Sequence, residues 1–304
     1  MKYLQLMRPP HWTKNFFVFA ALIFGKKLAG SADEVIYSVG SALGAFFCFC
    51  LASSAIYVFN DVIDAKADRV HPEKRNRPIA AGKVSVGAGV FFSLVLGIVS
   101  VFCSFMLVRQ FAYIILCYII MMVLYSVLFK KMIILDCVII SIGFCLRAVA
   151  GAIVVSTFIS PWLIICTFAL SLFLAFGKRR SEIEQLGDNI EAYRQTLCGY
   201  TPELLAHMLN VTSGLAVVCF LLYAMDERTY RLFGTNNLVY TMPMVLYCIF
   251  RFSALIQKGK YSGPVSLILH DIPFQISFLL WSVSCVAIVY ADKLVNGFGN
   301  IWAY

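Results

Sequence analysis

Asn60-Asp61-Val62-Ile63-Asp64-Ala65-Lys66-Ala67-Asp68-Arg69-Val70-His71-Pro72-Glu73-Lys74-Arg75-Asn76-Arg77-Pro78-Ile79-Ala80-Ala81-Gly82 leaves a long apolar segment and turns abruptly charged. Asn60, Asp64 and Asp68 recur every fourth residue. On a helix each is turned about 40° from the last, so all three share one face over roughly two turns. Asp61 lies about 100° to the side, close enough to join them. Carboxylates this close repel one another unless a cation holds them. Their oxygens are hard ligands suited to Mg²⁺, which takes few protein ligands and completes its shell with water and phosphate. Lys66, Arg69, Lys74, Arg75, Arg77 and Lys83 crowd the same loop. Acid for a metal and base for phosphates make the composition of a magnesium–diphosphate site, with Asn60, Asp64 and Asp68 as the metal ligands.

Outward from this stretch the chain is apolar. Of 304 residues, 61% are hydrophobic and 13% charged, and the mean hydropathy is +0.83. That exceeds what a soluble core needs, and an all-α, polytopic membrane protein is expected. Nine spans are expected, at 15–30, 38–59, 86–107, 111–129, 133–155, 161–176, 205–225, 238–256 and 273–291. No cleavable signal peptide is expected ahead of them. If the N-terminus lies inside, 18 of the 25 Lys and Arg fall on inside segments. This bias orients the acidic motif to the cytoplasm and explains the net charge of +9 without a nucleic-acid partner. The cysteines lie mostly within spans, without zinc spacing, and read as small packing residues.

Other signals are scattered along the chain. Arg8-Pro9-Pro10-His11-Trp12-Thr13-Lys14-Asn15 reads as an interfacial segment, with Trp12 at headgroup level and Arg8 and Lys14 on lipid phosphates or on an anionic substrate. Pro72 should end the acidic helix before His71. Tyr125 and the pair Lys130-Lys131 close the fourth span; either lysine marks the boundary or reaches a phosphate. Arg147 lies deep in the fifth span, eleven residues after Asp136, so the two share a helix face about 16 Å apart and are expected to line one polar cavity. Lys178-Arg179-Arg180-Ser181-Glu182 emerges from the sixth span, with Lys178 and Glu182 neighbours on a continuing helix. Glu184 and Asp188 are also four apart, but Gly187 weakens the helix between them. Arg251, Lys258, Lys260, His270 and Asp271 border the same side. No Walker loop, GxGxxG or HExxH pattern is present.

Asn60-x₃-Asp64-x₃-Asp68 followed by Arg77-Pro78-x₃-Gly82 resembles the first motif of the UbiA superfamily of intramembrane prenyltransferases. Further pieces, Arg8-Pro9-x₂-Trp12-x-Lys14-Asn15, Arg147-Ala148-x-Ala150-Gly151 and Gly177-Lys178-Arg179-x₂-Glu182, resemble its decaprenyl-phosphate phosphoribosyltransferase branch. The resemblance implies one integral-membrane UbiA-like domain over 1–304, with nine helices around a central cavity, in the cytoplasmic (inner) membrane. It implies Mg²⁺ as cofactor, phosphoribosyl pyrophosphate as donor and a polyprenyl phosphate as acceptor, giving polyprenyl-phosphoryl-5-phosphoribose for cell-wall or surface glycans. Asn60, Asp64, Asp68 and Arg77 would carry catalysis. Lys14, Asp61, Lys74, Arg75, Tyr125, Lys130, Arg147, Lys178, Arg179 and Glu182 would border the substrates. The aromatic prenyltransferases of the superfamily carry a second acidic DxxxD motif where this chain has Lys178-Arg179-Arg180, which counts against a prenyl diphosphate held by two metals. An aromatic polyprenyltransferase is the alternative. A lipid or anion transporter using Arg147 and Asp136 is another, though no repeat with paired broken helices supports it. A homo-oligomer is compatible with the sequence.

Overall fold

The computed structural model describes residues 2–70, 74–186, 197, 199–259, 261 and 263–291. Among the described residues all regular structure is helical. The α-helices are α1 (Lys2–Met7), α2 (Ala20–Phe24), α3 (Ala32–Ile63), α4 (Ala65–Val70), α5 (Val86–Leu107), α6 (Arg109–Val127), α7 (Leu135–Val154), α8 (Pro161–Leu186), α9 (Pro202–Met225), α10 (Glu227–Phe233), α11 (Met242–Gln257), α12 (Pro264–His270) and α13 (Ile272–Val289). Among the described residues eight helices are long and apolar enough to cross a membrane.

The expected first span, 15–30, is not a regular α-helix. It is a 3₁₀ helix, Pro9–Phe19, continued by the five-residue α2. Eleven residues rising about 2 Å each and five rising about 1.5 Å still cover roughly 30 Å, a full hydrocarbon thickness. The segment runs from Arg8, beside Asp61, to Gly25, beside Thr157 beyond the far end of α7. The segment is thus long enough to cross beside the eight longer helices, in a tighter winding. Its path against α7 demands a glycine. A Cβ on Gly151 would lie 2.0 Å from the Val18 carbonyl oxygen.

Local signals set the other ends. Ser31 caps α3 in a reciprocal box with Glu34, Ser85 caps α5, and Thr201 with Pro202 starts α9. The sixth span continues past 176 as one helix to Leu186, so Lys178, Arg179 and Glu182 stand on its extension. The expected helix stop at His71-Pro72, the Glu184/Asp188 pair through its Asp188, and Lys260 lie outside the described residues.

Two apolar clusters build the bundle. One joins the first segment, α3, α6 and α7 through Val18, Leu22, Ala45, Phe49, Ile115 and Ala150. The other joins α8, α9, α11 and α13 through Phe173, Leu209, Phe252 and Phe274, and takes Cys137 from α7. Helix α7 thus belongs to both halves. Side chains such as Phe91, Leu94, Ile98, Phe102 and Met106 recur on the outer face of α5 and are exposed, as a lipid-covered face requires.

Candidate active site

The acidic motif stands where α3 ends. Asp64 caps α3, and α4 restarts at Ala65, so the three residues do not lie on one uninterrupted helix. The backbone ladder nevertheless survives: the amide of Asp64 donates to Asn60 O at 2.9 Å, and that of Asp68 to Asp64 O at 2.8 Å. The kink divides the side chains. Asp68 and Asp61 are buried and share one guanidinium: Arg77 Nη1 donates to Asp68 Oδ2 at 2.6 Å and to Asp61 Oδ1 at 3.2 Å. Asp64 instead pairs with Lys130 Nζ at 2.6 Å. Asp61 also pairs with Arg8. Arg8 and Trp12 are therefore not at lipid headgroups as expected: Arg8 meets a buried carboxylate, and Trp12 Nε1 donates to Ser54 Oγ at 3.1 Å inside the bundle.

Arg77 is held by a small core of its own. Ile79 and Val84 are buried with Leu6, Ala55, Val58 and Leu96. Gly82 turns the loop with φ +72°, where a side chain would be strained. Gly89 lets the loop pack down, since a Cβ there would lie 2.8 Å from Ile79 Cδ1. Lys74 is half-buried and Arg75 is exposed on the same loop.

The end of α8 brings a second charged set. Arg179, fully buried, pairs with Asp136 at 3.0 Å and with Glu182 at 2.5 Å, and Lys178 approaches Glu182 at 3.7 Å. Tyr200 donates its hydroxyl to Asp136 Oδ1 at 2.7 Å while accepting from the Ile134 amide at 2.6 Å. Burial, with the Cys137 thiol and Asp136 beside it, pushes the Tyr200 hydroxyl well above its ordinary value, so it remains a donor. Tyr125 lies within electrostatic reach of Arg179.

Arg147 and Asp136 do not line one cavity together. Arg147 is buried and donates to Asn15 Oδ1 at 2.7 Å, Gly143 O at 2.7 Å and Tyr118 OH at 2.9 Å, with its guanidinium over the Phe49, Tyr118 and Phe144 rings. Asp136 belongs to the Arg179 network instead. The first segment joins the two. Lys14 lies within electrostatic reach of Arg8, Arg147 and Arg179, and His11 of Arg8, Arg77 and Lys178. The N-terminal segment, the acidic loop and the end of α8 thus converge on one space.

Sequence reasoning missed Arg8 as a carboxylate partner and Asn15, Tyr118 and Tyr200 altogether. Asn15 and Arg8 stood in a quoted motif, which was the available signal. Tyr118 and Tyr200 carry none, because their roles come from partners 29 and 64 residues away.

The donor set suits a divalent cation. Asn60 Oδ1 is buried with no hydrogen-bond partner among the described residues, a costly state that a metal ion would relieve. Among the described residues no three acidic, histidine or cysteine side chains form a closed cage. A magnesium ion shared with a diphosphate does not need one.

Comparison with known proteins agrees with this architecture. The model of the UbiA prenyltransferase family matches residues 16–283. A protein of Mycolicibacterium smegmatis named decaprenyl-phosphate phosphoribosyltransferase is 32% identical over 295 residues, covering 94% of this chain and 92% of its own. Its namesake from Mycobacterium tuberculosis is 31% identical over 94% and 93%. The solved structure of a UbiA homolog from Archaeoglobus fulgidus bound to DMAPP and Mg²⁺ superposes with a TM-score of 0.68 at 20% identity, over 96% of this chain and 98% of that one.

Proposed function

This chain belongs to the UbiA prenyltransferase family, and from that membership we propose that it transfers 5-phosphoribosyl from phosphoribosyl pyrophosphate to a polyprenyl phosphate at the cytoplasmic face of the membrane. The observation that carries this reading is the make-up of the shared space. Through the first segment the acidic motif and the end of α8 share one neighbourhood: His11 is within electrostatic reach of Arg77 and Lys178, and Lys14 of Arg8 and Arg179. The excess of cations suits a donor with a monophosphate besides its diphosphate, and an acceptor that is itself a phosphate. The names of the two mycobacterial relatives support the same donor and acceptor.

Asn60, Asp64 and Asp68 would hold Mg²⁺, which neutralises the pyrophosphate as a leaving group. Arg77 and Lys130 now neutralise Asp68, Asp61 and Asp64. As the diphosphate binds, they turn part of their hydrogen-bonding capacity to its oxygens, in the positions where charge grows. Arg179, oriented by Asp136 and Glu182, and the more exposed Lys178 take the second phosphate. Lys14 holds the acceptor phosphate beside the first segment, with the prenyl tail among the spans. An acceptor oxygen bonds to the ribose anomeric carbon as the bond to pyrophosphate breaks, and pyrophosphate leaves with the electron pair. The attacking oxygen is already anionic, so no side chain serves as general base. Positioning and electrostatics supply the rate.

A turnover assay tests the reading. Detergent-purified protein is given Mg²⁺, radiolabelled phosphoribosyl pyrophosphate and a polyprenyl phosphate. Label should enter the lipid phase, should stop with EDTA, and should fall about 10²-fold or more with Asp64→Ala. Prenylation of an aromatic acid from a prenyl diphosphate, with no phosphoribosyl transfer, would overturn the donor and acceptor.

A further inference from the structure

The end of the molecule opposite the acidic motif holds a cavity that the proposed reaction leaves unused. Its volume is about 390 Å³. It opens where the first segment ends at Gly25, where α7 passes into α8, and where α9 passes into α10. Ala21, Phe24 and Leu163 give it an apolar wall. Ser160, Arg228 and Arg231 bring polar groups to that wall, with Thr157 and Thr229 beside them. Ser160 is only 8% exposed, and its Oγ has no hydrogen-bond partner among the described residues. Arg228 lies with its guanidinium 5.0 Å from the centre of the Phe158 ring and makes no ion pair among the described residues. Arg231, on the same short helix, is already neutralised by Glu227.

A hydroxyl shut into an apolar wall without a partner is unfavourable, and the exposed Arg228 keeps its donors open to an anion at the mouth. One amphiphile answers both. Phe158, Tyr230 and Leu232 are exposed around the mouth, as side chains at headgroup level are. We propose that the cavity binds an acidic phospholipid of the leaflet on that side. The phosphodiester meets Arg228, an ester oxygen accepts from the Ser160 hydroxyl, and the start of an acyl chain covers Phe24 and Leu163. An acidic headgroup fits better than a zwitterionic one, because it brings no cation of its own to compete with Arg228. The apolar wall favours the lipid over free phosphate. The site is independent of the transferase reading.

Native mass spectrometry of the full chain in detergent tests this, with phosphatidylglycerol and phosphatidylcholine supplied in equal amounts. The parent protein should retain phosphatidylglycerol in preference. Arg228→Gln should lower its retention by about tenfold, the loss of one charge-assisted hydrogen bond. Ser160→Ala should lower retention of both lipids by a smaller factor, and the melting temperature of each variant without lipid should match the parent. Equal retention of the two lipids by the parent, or undiminished phosphatidylglycerol on Arg228→Gln, overturns the proposal. Displacement of the lipid by millimolar inorganic phosphate would assign the site to a free anion and overturn the lipid source.

Discussion

At the acidic end of the molecule Arg77 donates to two carboxylates, Asp61 and Asp68; within α7, Arg147 donates only to an amide oxygen, a carbonyl and a phenol. Both guanidiniums are held in place, but by different means. Arg77 is balanced by opposite charges that an incoming phosphate can replace. Arg147 has its directional hydrogen bonds satisfied and three aromatic faces around it, while its charge is left over. The first arrangement suits exchange of partners. The second suits a fixed strut that ties the 3₁₀ segment, through Asn15, to α6 and α7, and it keeps the adjoining space positive.

The contrast makes its largest prediction for the two arginines themselves. Arg147→Met strands the Asn15 amide oxygen and removes charged-donor bonds, a loss of about 3 kcal/mol or more in stability, read as a lowered melting temperature in detergent. Arg77→Lys, which keeps a cation beside the buried Asp61 and Asp68, should leave melting nearly unchanged and reduce the proposed phosphoribosyl transfer about 10²-fold. Equal melting losses in both variants would erase the distinction.

A smaller effect is expected at Gly151. The methyl of Gly151→Ala would overlap the Val18 carbonyl, and overpacking of this kind costs about 1–3 kcal/mol. The shift should displace Asn15 from Arg147, so Gly151→Ala combined with Arg147→Met should be less damaging than the two losses added, as a thermal double-mutant cycle would read.

The smallest effect concerns a third arginine. Arg251 grips the one carboxylate of Asp271 with two bonds, at 3.1 and 2.9 Å. That grip, aided by the Phe274 amide, holds the Asp271 carboxyl below its usual range. A depressed carboxylate contributes stability above its unfolded value, about 4, and that stability is lost as pH falls through the lower folded value. Melting should therefore drop below pH 4, and less so in Asp271→Asn. Arg147, lacking a carboxylate, should contribute nothing to this acid loss.

Much of the frame could be read in advance. The span expected at 86–107 is the observed α5, because a uniformly apolar run between Ser85 and Arg109 admits no other register. The spacing of Asn60, Asp64 and Asp68 already placed them on successive turns. It could not reveal that Asp64 pairs with Lys130 while Asp68 pairs with Arg77, since Lys130 comes from a segment 66 residues away. The 3₁₀ winding of Pro9–Phe19 was equally hidden. Hydropathy reports that a segment is apolar and is silent on how it is wound.

Composition and the run of apolar segments sufficed for a polytopic helical membrane protein, and the four-residue acidic period for a candidate metal site at one end. These are local quantities, written in residues adjacent or one helical turn apart. The pairings that give the site its character, Arg8 with Asp61, Asn15 with Arg147 and Arg179 with Asp136, span 53, 132 and 43 residues. No local pattern encodes such distances. They arise when apolar packing brings the helices together, and a buried charge must then take whichever donors and acceptors the neighbouring helices present.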